Sequence, residues 1–254
     1  MIAMKGIIKL YCLVIVTTFA LCPTAFADTK RDVPYSVNER LMFDVSYFGV
    51  VGGTTELRVN GIEKINGRDA YHITSTALTN DFFSKFYKVR DVIETFIDTE
   101  SHLPLRLKVD QHEGKKKNKS VTDFDQDNNK AILLKNYNRK TVYNIVKNVQ
   151  DSLSSLFYVR QQELTVGKDI VFDAFAGRKS WQLIIKVLKK ETVSVAAGTF
   201  ETVLVKPILK YNDVFINKGD VYIWLSDDER KIPVMMKSKI IIGAFTAELK
   251  SATR

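Results

Sequence analysis

The chain has 254 residues and a formal net charge of +9, from 38 basic and 29 acidic side chains. Its two cysteines, Cys12 and Cys22, both lie near the start. Beyond residue 22 there is therefore no disulfide framework, no thiolate nucleophile and no cysteine-held metal.

The first stretch, MIAMKGIIK, carries Lys5 and Lys9 and no acid. The run LYCLVIVTTFALC is apolar but too short to span a bilayer comfortably. Ala25-Phe26-Ala27 then supplies the small-x-small pattern of a cleavage site. Together these make residues 1–27 a secretory signal peptide, cleaved after Ala27, and they place the mature protein in the periplasm. Lipid anchoring at Cys22 is disfavoured, because Leu21 is not the small residue such processing needs and Pro23 follows. No later stretch reaches the ~18 apolar residues of a membrane-spanning helix. Loss of Lys5 and Lys9 leaves a formal charge of +7. An exported basic protein meets anionic lipid heads and cell-wall polymers rather than nucleic acid.

Residues 28–38 form a polar lead. From 39 to 254 the chain reads as one β-rich domain, because apolar and polar residues alternate with period two between breakers. The pairs Gly52-Gly53, Asn60-Gly61 and Asn66-Gly67 are expected to be turns, since they tolerate positive φ. Strand pattern resumes in DVIETFID, LPLRLKVDQ, KSVTDFDQ, KAILLKNY and KTVYNIV. One segment breaks it. DSLSSLFYVRQQEL places Leu153, Leu156 and Phe157 at helical spacing, with Asp151 as N-cap and Gly167 beyond, and predicts a short amphipathic helix near 151–162. A second run, NDFFSKFYKVRD, fits either a helical turn or an aromatic strand. Strand pattern returns in DIVFDAFA, SWQLIIKVLKK, ETVSVAAG, FETVLVKPIL, DVYIWLS, PVMMKSKIII and FTAELKS.

Residues 91–114 align without gaps on 220–243, with identities at Asp91/Asp220, Val92/Val221, Asp98/Asp227, Glu100/Glu229, Pro104/Pro233, Lys108/Lys237 and Gly114/Gly243. The echo points to two similar β units. It also interprets the acidic cluster Asp227-Asp228-Glu229. Both copies run strand, polar tip, proline, strand, so the cluster is a solvated turn rather than a metal or acid/base site.

DFDQDNNK (123–130) begins like a calcium loop, but the sixth and twelfth positions hold Asn128 and Leu134 instead of Gly and Glu, which favours a polar hairpin turn. HEGKKKNK (112–119) fits a solvated loop tip better than a lipid or saccharide contact. His72, His102 and His112 have no ligand spacing. No nucleophile elbow, phosphate loop or dinucleotide fingerprint is present. Catalytic residues, a metal site and cofactors are therefore not assigned, and the balance lies against an enzyme. The aromatic residues are the remaining candidates for a ligand site: Trp181, Trp224, Phe82, Phe83, Phe86 and Tyr87, each of which could equally be core.

NERLMFDVSYFGVVGGTTEL, FYKVRDVIETFID…LPLRLKVDQHEG, VTDFD, DSLSSLFYVR and AAGTFETVLVKP…WLSDDERKIPVMMKSKIIIGAFTAEL follow one another in this order. The chain resembles in them, over about 39–252, the exported bacterial family catalogued as domain of unknown function 3108. The resemblance implies an envelope protein of Gram-negative-type bacteria. It implies a strongly curved antiparallel sheet, rolled or partly closed, with little helix. It carries no catalytic residues to transfer. The reading is thus a mainly β, non-enzymatic periplasmic protein that binds a lipid or other amphipathic envelope component in a curved sheet with basic rims. An adaptor in envelope assembly is the alternative, and a cell-wall-modifying enzyme the second. Ligand, partner and oligomeric state are not set by the sequence.

Overall fold

The alternating pattern becomes strands wherever a polar tip can turn the chain back. The computed structural model describes residues 33–136, 138–211, 214–216, 220–239 and 244–254. The expected signal peptide lies outside them. The first run is β1 (Arg40–Tyr47), β2 (Val50–Ile65) and β3 (Arg68–Thr79). A single helical turn, α1 (Asp81–Ser84), precedes β4 (Val89–Asp98), β5 (Pro104–Glu113), β6 (Lys116–Asp125), β7 (Lys130–Lys135) and β8 (Arg139–Asn144). After α2 (Ser154–Arg160) come β9 (Asp169–Ala176), β10 (Lys179–Val195), β11 (Gly198–Tyr211), β12 (Val214–Ile216), β13 (Val221–Ser226), β14 (Pro233–Lys239) and β15 (Ala244–Thr253).

These strands form one antiparallel sheet in the order 8-7-6-5-4-3-2-1-15-14-13-11-10-9, with β12 beside β11. The path runs from β8 to β9 and is not closed strand to strand. The two edges are nevertheless joined. Gln150, beyond β8, donates its N–H to Asp173 O of β9 at 2.8 Å and accepts from Phe175 N at 2.7 Å. A sheet this wide must curl, because twist accumulates strand by strand. The Gln150 stitch holds it as a roll.

Of the three expected glycine turns, only one is a turn. Asn66 (φ 51°) and Gly67 (φ 85°) make the two-residue hairpin between β2 and β3. Gly61 instead sits at a register shift inside β2, and Gly52 and Gly53 lie within the same strand. Close approach explains Gly53: a Cβ there would lie 2.2 Å from Leu78 O. Phe48 (φ 49°) and Gly49 supply the turn that the sequence did not mark.

The acidic tips are turns. Asp98 Oδ1 accepts from Ser101 N at 2.7 Å and Glu100 N at 3.1 Å. At the echoing hairpin, Asp228 Oδ1 accepts from Arg230 N and Lys231 N, each at 3.0 Å. Pro104 and Pro233 open the return strands, each beside a register shift. In the calcium-like loop, Asp125 Oδ1 accepts from Asn128 N at 3.0 Å and closes the β6–β7 turn.

α2 is the element around which the core assembles. It is not amphipathic as expected: Ser154, Ser155 and Arg160 are buried along with Phe157 and Val159. The cause is position, since sheet faces both sides of the helix. One side joins Tyr35, Leu41, Phe43, Ile232 and Leu249 through Phe157. The other joins Phe172, Leu183, Ile185 and Val205 through Val159. The N-cap is Leu153, which makes no side-chain cap bond, rather than the expected Asp151. Asp151, two residues earlier, takes the first N–H groups. Its Oδ1 accepts from Leu153 N at 2.7 Å and Ser154 N at 2.8 Å, and Ser154 Oγ accepts in return from Asp151 N at 2.8 Å.

At the other end, Arg160 is fully buried. Its guanidinium grips Glu39 in a fork, Nη1–Oε1 at 2.8 Å and Nη2–Oε2 at 3.0 Å. It also donates to Pro34 O at 3.2 Å and Arg230 O at 3.1 Å. The rings of Tyr35 and Phe157 lie 5.6 and 5.2 Å from its centre. The site ties helix, N-terminal lead and β13–β14 turn together. Arg160→Met should lower unfolding free energy by up to about 3–5 kcal/mol in urea titration, because Glu39 stays buried with only Arg230 Nη2, 3.4 Å away, in place of its fork. Adding Glu39→Leu should recover most of that loss. A double variant as weak as the single would mean that the carbonyl contacts, not the ion pair, carry the site.

Candidate functional site

Inside the roll α2 fills one end and leaves space beside it. Between α2 and the inward faces of β10, β11 and β13 lies an apolar recess of about 190 Å³. Leu156 and Val159 of the helix and Leu183, Ile185, Val205 and Ile223 of the strands line it. Strand alternation puts them there, since 183 and 185 share one face of β10 and 205 and 207 one face of β11. A second recess of about 360 Å³ lies against β4–β7 and the β9–β10 turn. Its lining mixes Ile93, Leu107, Val109, Leu133 and Phe175 with Gln111, Asn118, Ser120 and Thr122. Ser152 borders both. The larger one lies within the ~300–1,000 Å³ range of small-molecule sites.

Charge is placed at one edge. Lys135, at the end of β7, and Arg178, in the β9–β10 turn, line the larger recess. Arg178 is held at φ 68°. Among the described residues no carboxylate borders either recess. An anion with an apolar body would find cations at the edge and aliphatic side chains within.

The buried carboxylate nearest in sequence is Asp151. Burial pushes its carboxyl above the usual range, against the opposing hydrogen bonds of Thr95, Ser154 and Leu153. Thr95 Oγ1 donates to Oδ2 at 2.5 Å, and Oδ1 is occupied by the helix N–H groups. The side chain is fully enclosed, so no substrate reaches it, and its role is to hold the helix. Asp173 is also raised by burial and borders a separate polar cleft with Lys147, Gln150 and Tyr158. Among the described residues no group of three His, Cys, Asp or Glu side chains could hold a metal.

The six aromatic candidates fall in three places, and none is among the residues lining the two recesses. Trp181 donates its Nε1–H to Ala176 O at 2.8 Å and lies 5.3 Å from the Tyr211 ring. Trp224 donates to Glu191 Oε1 at 2.8 Å, with Tyr222 beside it. Phe82, Phe83 and Phe86 do come together around α1, with centroids 5.3 and 5.7 Å apart. Tyr87 lies next to them against Gly114. The recess residues went unmarked because each is an ordinary strand position. The available signal was the run of small polar side chains Asn118, Ser120 and Thr122 at alternate, inward positions of β6, too polar for a filled core.

The sign of the Asp151 shift fixes a test. A carboxyl raised in the folded state contributes most stability below its ordinary value of about 3.9 and loses it as pH rises through the folded value. The stability difference between the wild type and Asp151→Asn should therefore fall as pH rises from about 4. Urea midpoints across pH measure it. A difference that stays flat, or rises, would rule out a raised Asp151.

The comparisons with known proteins agree with the architecture. The family described as "Protein of unknown function (DUF3108)" matches residues 42–250, and the chain belongs to it. None of the curated proteins matches. A crystal structure described as a beta-barrel-like protein of domain of unknown function DUF1849, from Brucella abortus, is similar in fold, with a TM-score of 0.62 at 11% identity. That likeness covers 87% of this chain and 99% of the other. A Bacteroides fragilis protein with a YmcC-like fold aligns over 87% of this chain and 98% of its own, at 15% identity, with a TM-score of only 0.35.

Proposed function

We propose that this DUF3108 protein is a non-enzymatic binding protein of the cell envelope whose ligand is an anionic amphipath. The head would lie at Lys135 and Arg178 and the chain beside α2. The observation that carries this reading is the apolar recess left unfilled between α2 and β10–β13, bordered through Ser152 by a larger one edged with two cations. A native core is close-packed, so unfilled aliphatic space in a chain with this many large side chains favours an occupant. The helix that makes the floor is pinned at both ends by buried hydrogen bonds, which fits a pre-formed site.

Export is supported by Lys5, Lys9, the apolar run and Ala25-Phe26-Ala27. Sequencing the N-terminus of the purified protein should begin at Asp28, and retention of Met1 would remove the periplasmic assignment. The two-unit organisation is supported by the matching bulged hairpins β4–β5 and β13–β14 and by register shifts at Val59/Gly61 and Val187/Lys189 in the long strands that precede them.

Native mass spectrometry of protein isolated from its own cells, followed by organic extraction, tests the ligand. A reproducible lipid adduct is expected. Ile223→Trp, which fills the apolar recess, should remove it and weaken binding of parinaric acid at least about tenfold, with circular dichroism unchanged. A clean apo mass together with no parinaric acid binding would discard the reading and favour a protein partner, sought by stoichiometric pull-down.

A further inference from the structure

One end of the roll holds large apolar side chains in water. Phe48 is 67% exposed, Phe82 63% and Phe86 76%. They come from distant parts of the chain, in the β1–β2 turn and around α1 after β3, at the same end of the sheet. The Phe245 ring lies 4.9 Å from Tyr47, and Tyr47 lies 4.6 Å from Phe48. The turn after Phe48 leads into β2, where Gly52 accepts from Asn80 N at 2.9 Å and lies under the Phe83 ring. Phe82 and Phe86 continue the patch. Tyr87 closes it against Gly114 of the β5–β6 tip, whose N–H donates to Lys88 O at 2.8 Å.

The presentation is built. Asn80 Oδ1 accepts from Phe83 N at 2.9 Å, and Asn80 Nδ2 donates to Val51 O at 2.9 Å. Thr79 Oγ1 lies 2.8 Å from Ser84 Oγ and accepts from Val89 N at 3.0 Å. This network fixes the α1 turn with Phe82 and Phe86 directed outward. Each exposed ring forgoes the free energy of burial, so the fold gains nothing from holding them there. Exposed cations flank the rings: Lys85, Lys88 and Arg90 beside α1, and Lys115, Lys116 and Lys117 on the β5–β6 tip. Their acidic neighbours are Asp81 and Glu113, with Asp91 next to Arg90 and bonded to His112 N at 3.0 Å, and Asp110 further along β5 within reach of the Arg90 charge.

We infer that this end is a docking face for an anionic phospholipid surface. Aromatic side chains suit the boundary between headgroups and acyl chains. Lysines beside them meet the phosphates. A second copy of the chain fits the face poorly, because apposition would bring the lysine tips together. The face does not depend on the recess, so it stands apart from the ligand reading.

Co-sedimentation with vesicles tests it, using protein isolated from cells that express all 254 residues. Vesicles of phosphatidylethanolamine with phosphatidylglycerol should bind the protein. Pure phosphatidylcholine vesicles should bind it at least about tenfold less, and added salt should release it. Phe82→Ser with Phe86→Ser, and separately Lys115, Lys116 and Lys117→Gln, should each reduce binding at least about tenfold. These positions are exposed, so circular dichroism should stay unchanged. Ile223→Trp should bind vesicles as the wild type does. The inference is overturned by equal binding to both vesicle types, by no binding, or by rim variants that bind normally. Loss of binding in Ile223→Trp would also overturn it, since uptake of lipid into the recess would then explain the result. So would concentration-dependent self-association that Phe82→Ser with Phe86→Ser abolishes.

Discussion

The fork between Arg160 and Glu39 is the constraint on which the arrangement turns. A curled sheet of this width encloses more volume than strand side chains fill, and a helix inside it must satisfy its own polar groups away from water. α2 does so at both ends. Asp151 and Ser154 exchange hydrogen bonds at its start, while Glu39, Pro34 O and Arg230 O take the Arg160 donors at its finish. At its finish these partners lie outside the helix, and at its start Thr95 of β4 holds Asp151 in turn. The helix is therefore tied to the sheet at both ends, at the end of the roll where Tyr35 packs.

The same reasoning explains how the sheet ends. Edge strands invite pairing with other chains. Here the segment after β8 crosses to β9, and Gln150 uses its backbone N–H and C=O on that strand. Phe175 then turns toward Phe124 and Tyr143, on the β6–β8 side of the seam, while Phe172 of the same strand packs on Tyr158 of α2. One strand thus presents apolar side chains in two directions. The edges are joined by this crossing rather than by strand pairing, and space remains between the two packed regions.

The fold class was legible because strand alternation and turn chemistry are local. The polar tips at Asp98, Asp125 and Asp228 turn as their composition predicts, and β4–β5 and β13–β14 each carry a register shift beside the proline that opens the return strand. What remained hidden is non-local. Gly53 reads as a turn residue until Leu78 O is found against it. Ser154, Ser155 and Arg160 read as the wet face of a helix until Asp151, Thr95 and Glu39 are seen enclosing them. The recess was invisible for the same reason: Ile185, Val205 and Ile223 are ordinary strand residues, and only the closure of the roll leaves a gap beside them. Sequence did mark the aromatic run 82–87, but not whether it faced inward or out.

The aromatic residues differ in exposure and in the partners they find. Trp181 and Trp224 are partly buried, and each indole N–H has an acceptor within the chain, which is how aromatic residues serve a sheet. Phe82 and Phe86 have neither cover nor polar handle, and a capped turn keeps them so. Lys135 and Arg178 edge a recess that also includes Gln111 and Asn118, two residues that pair next to the Lys116–Glu113 tip. The cations of the recess and those of the rim thus lie toward the same end of the roll, opposite the end that α2 and Tyr35 fill. Exposed lysines occur at the other end too, Lys64 and Lys130 among them, so it is the exposed rings set beside the cations, not charge alone, that distinguish this end.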